Sequence, residues 1–381
     1  MEIYKLSNDI DIINVMKKLR VDSGGIAIMQ KKAKLHFFYL KHIYCGASNI
    51  LKQDALSIGA ELIVPHGAVD CSLQYHDAIL ICNDKQLEIL SNKEKAQPFK
   101  LKLLAKFISK FKNRKKYEPK IMGVINANDD SFFSGSRFSG DEAVKQIENM
   151  IENGADIIDI GGVSSRPGSE YPGVKEELKR VTPIIKEIYK RNLYQKAVFS
   201  IDSFAPEVID FALNHGFKIA NDITGLKDEN VAKVVSKYEA KVCIMHMKGT
   251  PKDMQNKPFY ENVILEVDKF FEERIEIAQK YGIEDIILDV GIGFGKRLED
   301  NLNLIKRLEH FTHYGYELLV GASRKSMIDM IIPTPIEKRL PGTLAIHLEA
   351  IKNGASIIRC HDVAEHKQAI EVYKAIEKIN I

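Results

Sequence analysis

Eight short apolar runs in the last two-thirds of the chain are each followed by side chains that can do chemistry. In order these are Asn126, with Asp129, Asp130 and Ser131 beyond it; Ser164, Ser165 and Arg166, ahead of Pro167; Asp202; Asn221 and Asp222; His246, after Met245; Asp289; Ser323, Arg324, Lys325 and Ser326; and Arg359, His361 and Asp362. A carboxylate at the end of a buried strand is costly unless it is partnered. Asp202, Asn221 and Asp289 offer acceptors, and Asn221 also a donor, which suits a flat heterocycle whose edge carries several N–H groups. Lys325 suits a ring carbonyl, and Met245 and Phe294 suit the apolar faces of the ring. Arg324, Lys325, Arg359 and His361 follow the seventh and eighth runs and suit an anion such as phosphate, with Ser326 and Met327 opening a helix nearby. Arg166 adds a further cation. A planar polar ring beside a phosphate group is the combined reading. Taken singly, each residue has a plainer explanation as a strand cap, a solvated charge or a core histidine. Eight polar strand ends in succession are not explained that way.

The elements that would position these residues are regular. Strands are predicted at 121–126, 156–160, 197–202, 218–222, 241–246, 286–289, 317–321 and 356–359, with a helix after each. Helices are predicted around 141–152, 174–191, 205–214, 229–238, 260–280, 299–308, 340–352 and 365–378. Short strands rich in Ile and Val fit parallel strands buried on both faces. Eight such units fit a closed (β/α)8 TIM barrel, whose active site lies at the carboxyl ends of its strands. A doubly wound open sheet is the alternative. The stretch 286–296, Ile-Ile-Leu-Asp-Val-Gly-Ile-Gly-Phe-Gly-Lys, is the hub: a strand, a carboxylate, then a glycine-rich turn. It follows the sixth strand and lacks the Gly-x-Gly-x-x-Gly spacing, so it is not a dinucleotide fingerprint.

Composition narrows the class. At 381 residues two domains are expected. The expected division is a small α/β domain at 1–110, a basic linker at 111–119 and the barrel at 120–381. Within the first, 25–29, 35–40, 61–65 and 78–82 read as strands. A net charge of +3 gives no reason to expect nucleic acid, and no apolar run is long enough for a membrane span. The start of the chain has no signal-peptide pattern, so a cytoplasmic location is expected. The five cysteines have no metal-ligand spacing and read as reduced thiols.

The stretches 121–126 (Ile-Met-Gly-Val-Ile-Asn), 154–162 (Gly-Ala-Asp-Ile-Ile-Asp-Ile-Gly-Gly), 165–168 (Ser-Arg-Pro-Gly), 245–251 (Met-His-Met-Lys-Gly-Thr-Pro), 291–296, 321–326 (Gly-Ala-Ser-Arg-Lys-Ser) and 339–345 (Arg-Leu-Pro-Gly-Thr-Leu-Ala) carry a resemblance. From Ile121 onward the chain resembles dihydropteroate synthase. The resemblance implies a barrel that condenses 6-hydroxymethyl-7,8-dihydropterin diphosphate with 4-aminobenzoate by a dissociative substitution. It implies pterin contacts at Asp202, Asn221, Met245, Asp289, Phe294 and Lys325, and diphosphate contacts at Asn126, Arg359 and His361. It implies aminobenzoate contacts at Ser165, Arg166, Pro167 and Ser326, with Phe294 flanking that site, and Mg2+ on Asn126. Asp202, Lys325, Arg359 and His361 would be catalytic. A homodimer and inhibition by sulfonamides are also implied. The chain departs from the family pattern at Asp129 and Ser134 in the first loop, at Val163 and Ser165 in the second, and at Val290. A pterin-dependent methyltransferase barrel and a pterin-binding paralogue without turnover are the rival functions.

Overall fold

A computed structural model describes residues 1–8, 10–127 and 141–379. Asp129, Asp130, Ser131 and Ser134 lie outside the described residues. The chain divides into two compact units, one comprising 1–114, 313–315 and 373–381, the other 115–312 and 316–372.

The smaller unit begins with α1 (Ile12–Lys18) and α2 (Ser23–Met29). It continues with β1 (Leu35–Tyr44), α3 (Cys45–Leu56), β2 (Glu61–Ile63), β3 (Tyr75–Asn83), α4 (Asp84–Lys93) and α5 (Leu101–Lys112). The strand expected at 25–29 is instead helical, because the Asp22 carboxylate caps it by accepting from the Gly25 N–H at 2.8 Å. The sheet is antiparallel, in the order β1-β3-β2. In β3, His76, Ala78, Leu80 and Cys82 are buried while the residues between them are not, the period of two that a one-sided sheet requires. Helix α5 turns Leu101, Ala105, Ile108 and Phe111 inward and carries Lys102, Lys106 and Lys110 at a spacing of four. Leu51, Leu62, Leu80, Leu87, Leu90 and Ile108 form the centre of this unit's core. Cys45 and Cys71 are joined as a disulfide, which corrects the expectation of reduced thiols for this pair; Cys82, Cys243 and Cys360 are free and buried. The pairing is possible because β2 and the turn after it bring residues 26 positions apart to a Cα separation of 5.5 Å, a neighbourhood that spacing alone does not show.

The larger unit is a closed parallel barrel. Its strands are β4 (Lys120–Asn126), β5 (Ile157–Gly161), β6 (Val198–Asp202), β7 (Ile219–Asp222), β8 (Lys241–Met245), β9 (Ile286–Asp289), β10 (Glu317–Val320) and β11 (Ile357–Cys360). Its helices are α6 (Asp141–Glu152), α7 (Val174–Lys190), α8 (Pro206–Asn214), α9 (Glu229–Lys237), α10 (Val263–Lys280), α11 (Leu298–Lys306), α12 (Ser326–Ile331), α13 (Leu340–Lys352) and α14 (Val363–Glu377). No described helix is long and apolar enough to cross a membrane.

The interior is built in tiers. Met122, Ile157, Ile219, Cys243, Ile287, Leu319 and Ile357 form one buried apolar cluster. Side chains alternate faces along a strand, so residues two positions away share that inward direction. Two positions earlier stand Lys120, Lys241 and Glu317, and Glu317 accepts from Lys120 at 2.7 Å and from Lys241 at 2.6 Å. Two positions later stand Val124, Asp159, Asn221, Met245, Asp289, Gly321 and Arg359. Asp202 joins this upper tier, since it pairs in register with Gly161 on one side and Asn221 on the other. An ionic floor, an apolar plug and a polar mouth follow from one periodicity.

Candidate active site

Four strands supply one chain of polar contacts in the upper tier. Arg359 of β11 donates through Nε to Asp159 of β5 and through Nη2 to Asp202 of β6, each at 2.7 Å. The same Asp159 oxygen accepts from Asn221 Nδ2 of β7 at 3.0 Å. Asp159 is fully buried and Asn221 nearly so. Burial raises the Asp202 carboxyl to about 7, against the pull of Arg359 and with added repulsion from Asp159, Glu177 and Asp222. The carboxylates outweigh burial at Arg359 and keep its guanidinium charged.

Asp289 closes the opposite side. Its Oδ1 accepts from the Gly291 N–H at 2.7 Å, and burial pushes its pKa upward. The loop beyond it needs its glycines. Gly291 has φ +66, and a Cβ there would meet the His246 carbonyl at 1.9 Å; Gly295 has φ +61, and its Cβ would meet the Lys248 carbonyl at 2.2 Å. The carbonyls crowded together here are gathered by the buried Lys296 ammonium, which donates to His246 O at 3.1 Å, Gly291 O at 2.9 Å and Phe294 O at 3.0 Å. Lys325 reaches the same loop by donating to Ile292 O, and its Nζ stands 4.4 Å from the centre of the Phe294 ring. Burial lowers Lys325 to about 8, with Asp289 opposing the fall. Met245 is buried on β8 in the same tier.

On the cationic side, His361 Nδ1 lies 2.9 Å from Ser323 Oγ, and burial lowers its pKa to about 4, aided by Arg359. Arg324 is not an anion-binding group. It forms a fork with Asp362, at 3.0 Å from Nε and 2.6 Å from Nη2, and its Nη1 donates to the carbonyls of Ile336 and Glu337. Asp222 and His246 also stand apart from the polar tier. Asp222 caps the turn after β7 by accepting from the Thr224 and Leu226 N–H groups, and His246 packs edge-on against Phe270.

Beneath these loops two buried histidines bridge β10 and β11. Ala322 N–H donates to His347 Nε2 at 3.0 Å, so His347 Nδ1 must donate to His366 Nε2 at 2.8 Å, and His366 Nδ1 to Asp362 O at 2.6 Å. This order needs both rings neutral, and burial lowers both pKa values from 6.5. The unfolded chain then binds more protons below about pH 6.5, so stability is full above that pH and falls as pH drops, by up to about 1.4 kcal/mol per pH unit for each histidine. Urea unfolding at pH 7.5 and 5.5 should show this slope in the wild type and a shallower one in His347→Gln; equal slopes would contradict the neutral pair.

The second loop carries Ser165 and Arg166, both half-buried, and the exposed Pro167. It is tied down by Gly168 N–H to Pro251 O at 2.8 Å and by Tyr171 Oη to Glu177 at 2.8 Å. Ser326 is exposed at the start of α12, and Asn126 is half-buried where β4 ends. The structure thus brings Asp202, Asn221, Asp289, Met245 and Arg359 into one tier, with Lys325 and Phe294 against it. Sequence reasoning passed over Asp159 and Lys296. The signal for Asp159 was its place two residues after Ile157, as Asn221 follows Ile219 and Asp289 follows Ile287. Lys296 gave none, because the carbonyls it collects come from two loops.

The sequence profile described as "Pterin binding enzyme" matches residues 122–361. The chain is 41% identical over 377 residues to the bifunctional dihydropteroate synthase/dihydropteroate reductase of Helicobacter pylori, covering 99% of both chains. The structure superposes on Yersinia pestis dihydropteroate synthase with a sulfonamide drug complex at a TM-score of 0.66 and 35% identity, covering 69% of this chain and 95% of that one. It also superposes on the Xanthomonas albilineans enzyme in complex with 7,8-dihydropteroate at 0.61 and 33%, with coverage of 69% and 95%. Barrel, upper tier and sequence agree, and the chain belongs to the pterin-binding enzyme family, among the dihydropteroate synthases.

Proposed function

We infer that the upper tier condenses 6-hydroxymethyl-7,8-dihydropterin diphosphate with 4-aminobenzoate, releasing dihydropteroate and diphosphate. The observation that carries this assignment of residues is the meeting of Asp202, Asn221 and Asp289, three acceptors, with Lys325 and Arg359, two cations, at one end of one barrel. The acceptors hold the N–H edge of the pterin, Lys325 its ring carbonyl, and Met245 and Phe294 its faces. Arg359 and His361 hold the diphosphate, and Ser165, Arg166, Pro167 and Ser326 border the aminobenzoate.

Mg2+ fits the site in a limited way. It takes one or two hard oxygen ligands from a protein and completes its shell with phosphate oxygens and water, and the Asn126 amide oxygen is such a ligand. Bound there, it would neutralise charge on the leaving diphosphate.

The reaction breaks the C–O bond between the pterin methylene and the diphosphate, which departs with the electron pair. The cation left behind is met by Asp202, whose negative charge stabilises it. The neutral amine of aminobenzoate forms the new C–N bond and then loses a proton. The arylamine is already a nucleophile, so no strong base is required. Asp202 must be ionised and Lys325 protonated. Turnover per unit of substrate binding should therefore rise through about pH 7 and fall above about pH 8. Initial rates of dihydropteroate release across pH 5.5–9.5 measure both limbs, and a profile flat across that range would remove both groups from these roles. The same assay with a sulfonamide should show inhibition relieved by added aminobenzoate.

One observation favours a second activity. The Helicobacter pylori relative matches the chain from end to end, residues 1–114 included, whereas the Yersinia pestis and Xanthomonas albilineans synthases cover 69% of it. We infer that the chain also reduces dihydropteroate with a hydride donor. Incubation of the full chain with dihydropteroate and a reduced nicotinamide should consume both; no consumption, with and without added flavin, rejects it.

A further inference from the structure

The geometry points to Asp159 as the residue that positions both halves of the site at once: it sets the Asn221 amide so that an acceptor faces the pterin, and it holds the Arg359 guanidinium so that its far end faces the leaving diphosphate. This rests on the function inferred above. Neither the pattern of strand ends nor the family comparisons assign Asp159 a role.

A carboxylate only accepts hydrogen bonds. Asn221 therefore must turn its Nδ2 to Asp159, at 3.0 Å, and its Oδ1 is the atom left for a ligand. That orientation is what a ring edge made of N–H donors needs. Asparagine in the place of Asp159 would offer an amide that donates or accepts, and the Asn221 amide would lose its reason to face one way.

The grip on Arg359 is equally directional. The Nε–H and one Nη2–H of a guanidinium lie along one edge. Asp159 takes the first and Asp202 the second, both at 2.7 Å. Among the described residues Nη1 donates to nothing, so the clasped edge leaves the opposite edge of a fixed cation for an anion. A single Asp159 oxygen makes both contacts. Among the described residues its other oxygen, Oδ1, is buried without a partner. Leaving a buried acceptor unsatisfied costs about 1–3 kcal/mol, so packing alone would favour an apolar residue here. A carboxylate that costs stability at this position fits a residue that serves the site and not the packing.

The test uses the full chain, wild type and Asp159→Asn, with three probes in calorimetric titration: 6-hydroxymethylpterin, its lumazine counterpart in which an oxo group replaces the 2-amino group, and inorganic diphosphate. Wild type should prefer the pterin over the lumazine by at least about 100-fold, since acceptors face the donor edge. In Asp159→Asn that preference should shrink about tenfold, because a freed Asn221 amide can turn its donor to the lumazine, and diphosphate affinity should fall about tenfold in the same protein. A generally loosened fold would weaken both rings alike and leave their ratio unchanged. An unchanged ratio, or a loss confined to one of the two half-sites, overturns the proposal. Should Asp159→Asn not fold, Asp159→Ala carries the same expectation for diphosphate affinity and for the pterin-over-lumazine preference. Wild type binding neither pterin nor diphosphate would sink the functional reading and this inference together.

Discussion

Asp289→Ala should lose measurable pterin binding and reduce turnover by at least about 10³-fold, the largest effect expected of any single change in the upper tier. The reasons are local. Asp289 is the tier's acceptor on β9, and burial has already removed the water that would compensate for its loss. Its negative charge also supports two ammonium groups, since it raises the pKa of Lys325 and of Lys296 against the burial that lowers them to about 8 and about 7. Without it the pKa of both lysines falls further, so the cation that meets the ring carbonyl is weakened as the N–H edge loses its acceptor. The Gly291 N–H would be left without its partner as well. Titration with 6-hydroxymethylpterin and a dihydropteroate assay are the checks. Affinity within threefold of wild type would show that the ring sits elsewhere.

Arg359→Ala should separate the two halves of the substrate. Removing the guanidinium takes away the cation that meets the diphosphate, and diphosphate affinity should drop about 10²-fold with a comparable loss in turnover. It also leaves the buried Asp159 and the partly buried Asp202 with their shared counter-ion gone. With that counter-ion gone, burial and the repulsion from Asp159 act on the Asp202 carboxyl unopposed and favour its protonated form. Because Arg359 pulls the Asp202 pKa down, its loss moves the acid limb of the rate profile above about 7. Binding of free pterin should fall much less than binding of diphosphate. Equal losses for the two ligands, or an acid limb that stays in place, would count against the split. Arg359→Lys restores charge and cannot span both Asp159 and Asp202 with a fixed fork, so it should recover only part of the affinity.

The rival functions differ in what they ask of this layer. A methyl-transferring pterin barrel has no leaving diphosphate and no need of a cation held at its mouth. A paralogue without turnover would bind the pterin diphosphate tightly and release no product, which the same titration and assay distinguish.

Much of this molecule is legible in its sequence. Apolar runs such as Ile286–Leu288, each followed by polar side chains and repeated eight times with helices between, specify parallel strands buried on both faces, and a chain of such units has few ways to close. Asn221 and Asp289 are legible as polar residues at strand ends, and the period of two along each strand gives them the same direction as Ile219 and Ile287. Other features depend on contacts between distant segments and leave no local trace. Arg324 and Arg359 look alike in the sequence. One is consumed by Asp362 and two carbonyls, and the other is held open by Asp159 and Asp202, because only the closed barrel decides which carboxylates lie within reach. The same is true of Lys296, whose three carbonyl partners belong to the loops after β8 and β9, and of the Cys45–Cys71 bond. Helix at 23–29 was missed because a single capping hydrogen bond from Asp22 outweighs the β preference of two isoleucines. The strands, their inward faces and the chemical types present at the mouth follow from local periodicity and are legible in the residues alone. The tertiary structure decided which charges are paired and which are offered to a ligand, because pairing is set by distances between strands that the chain brings together only on closing.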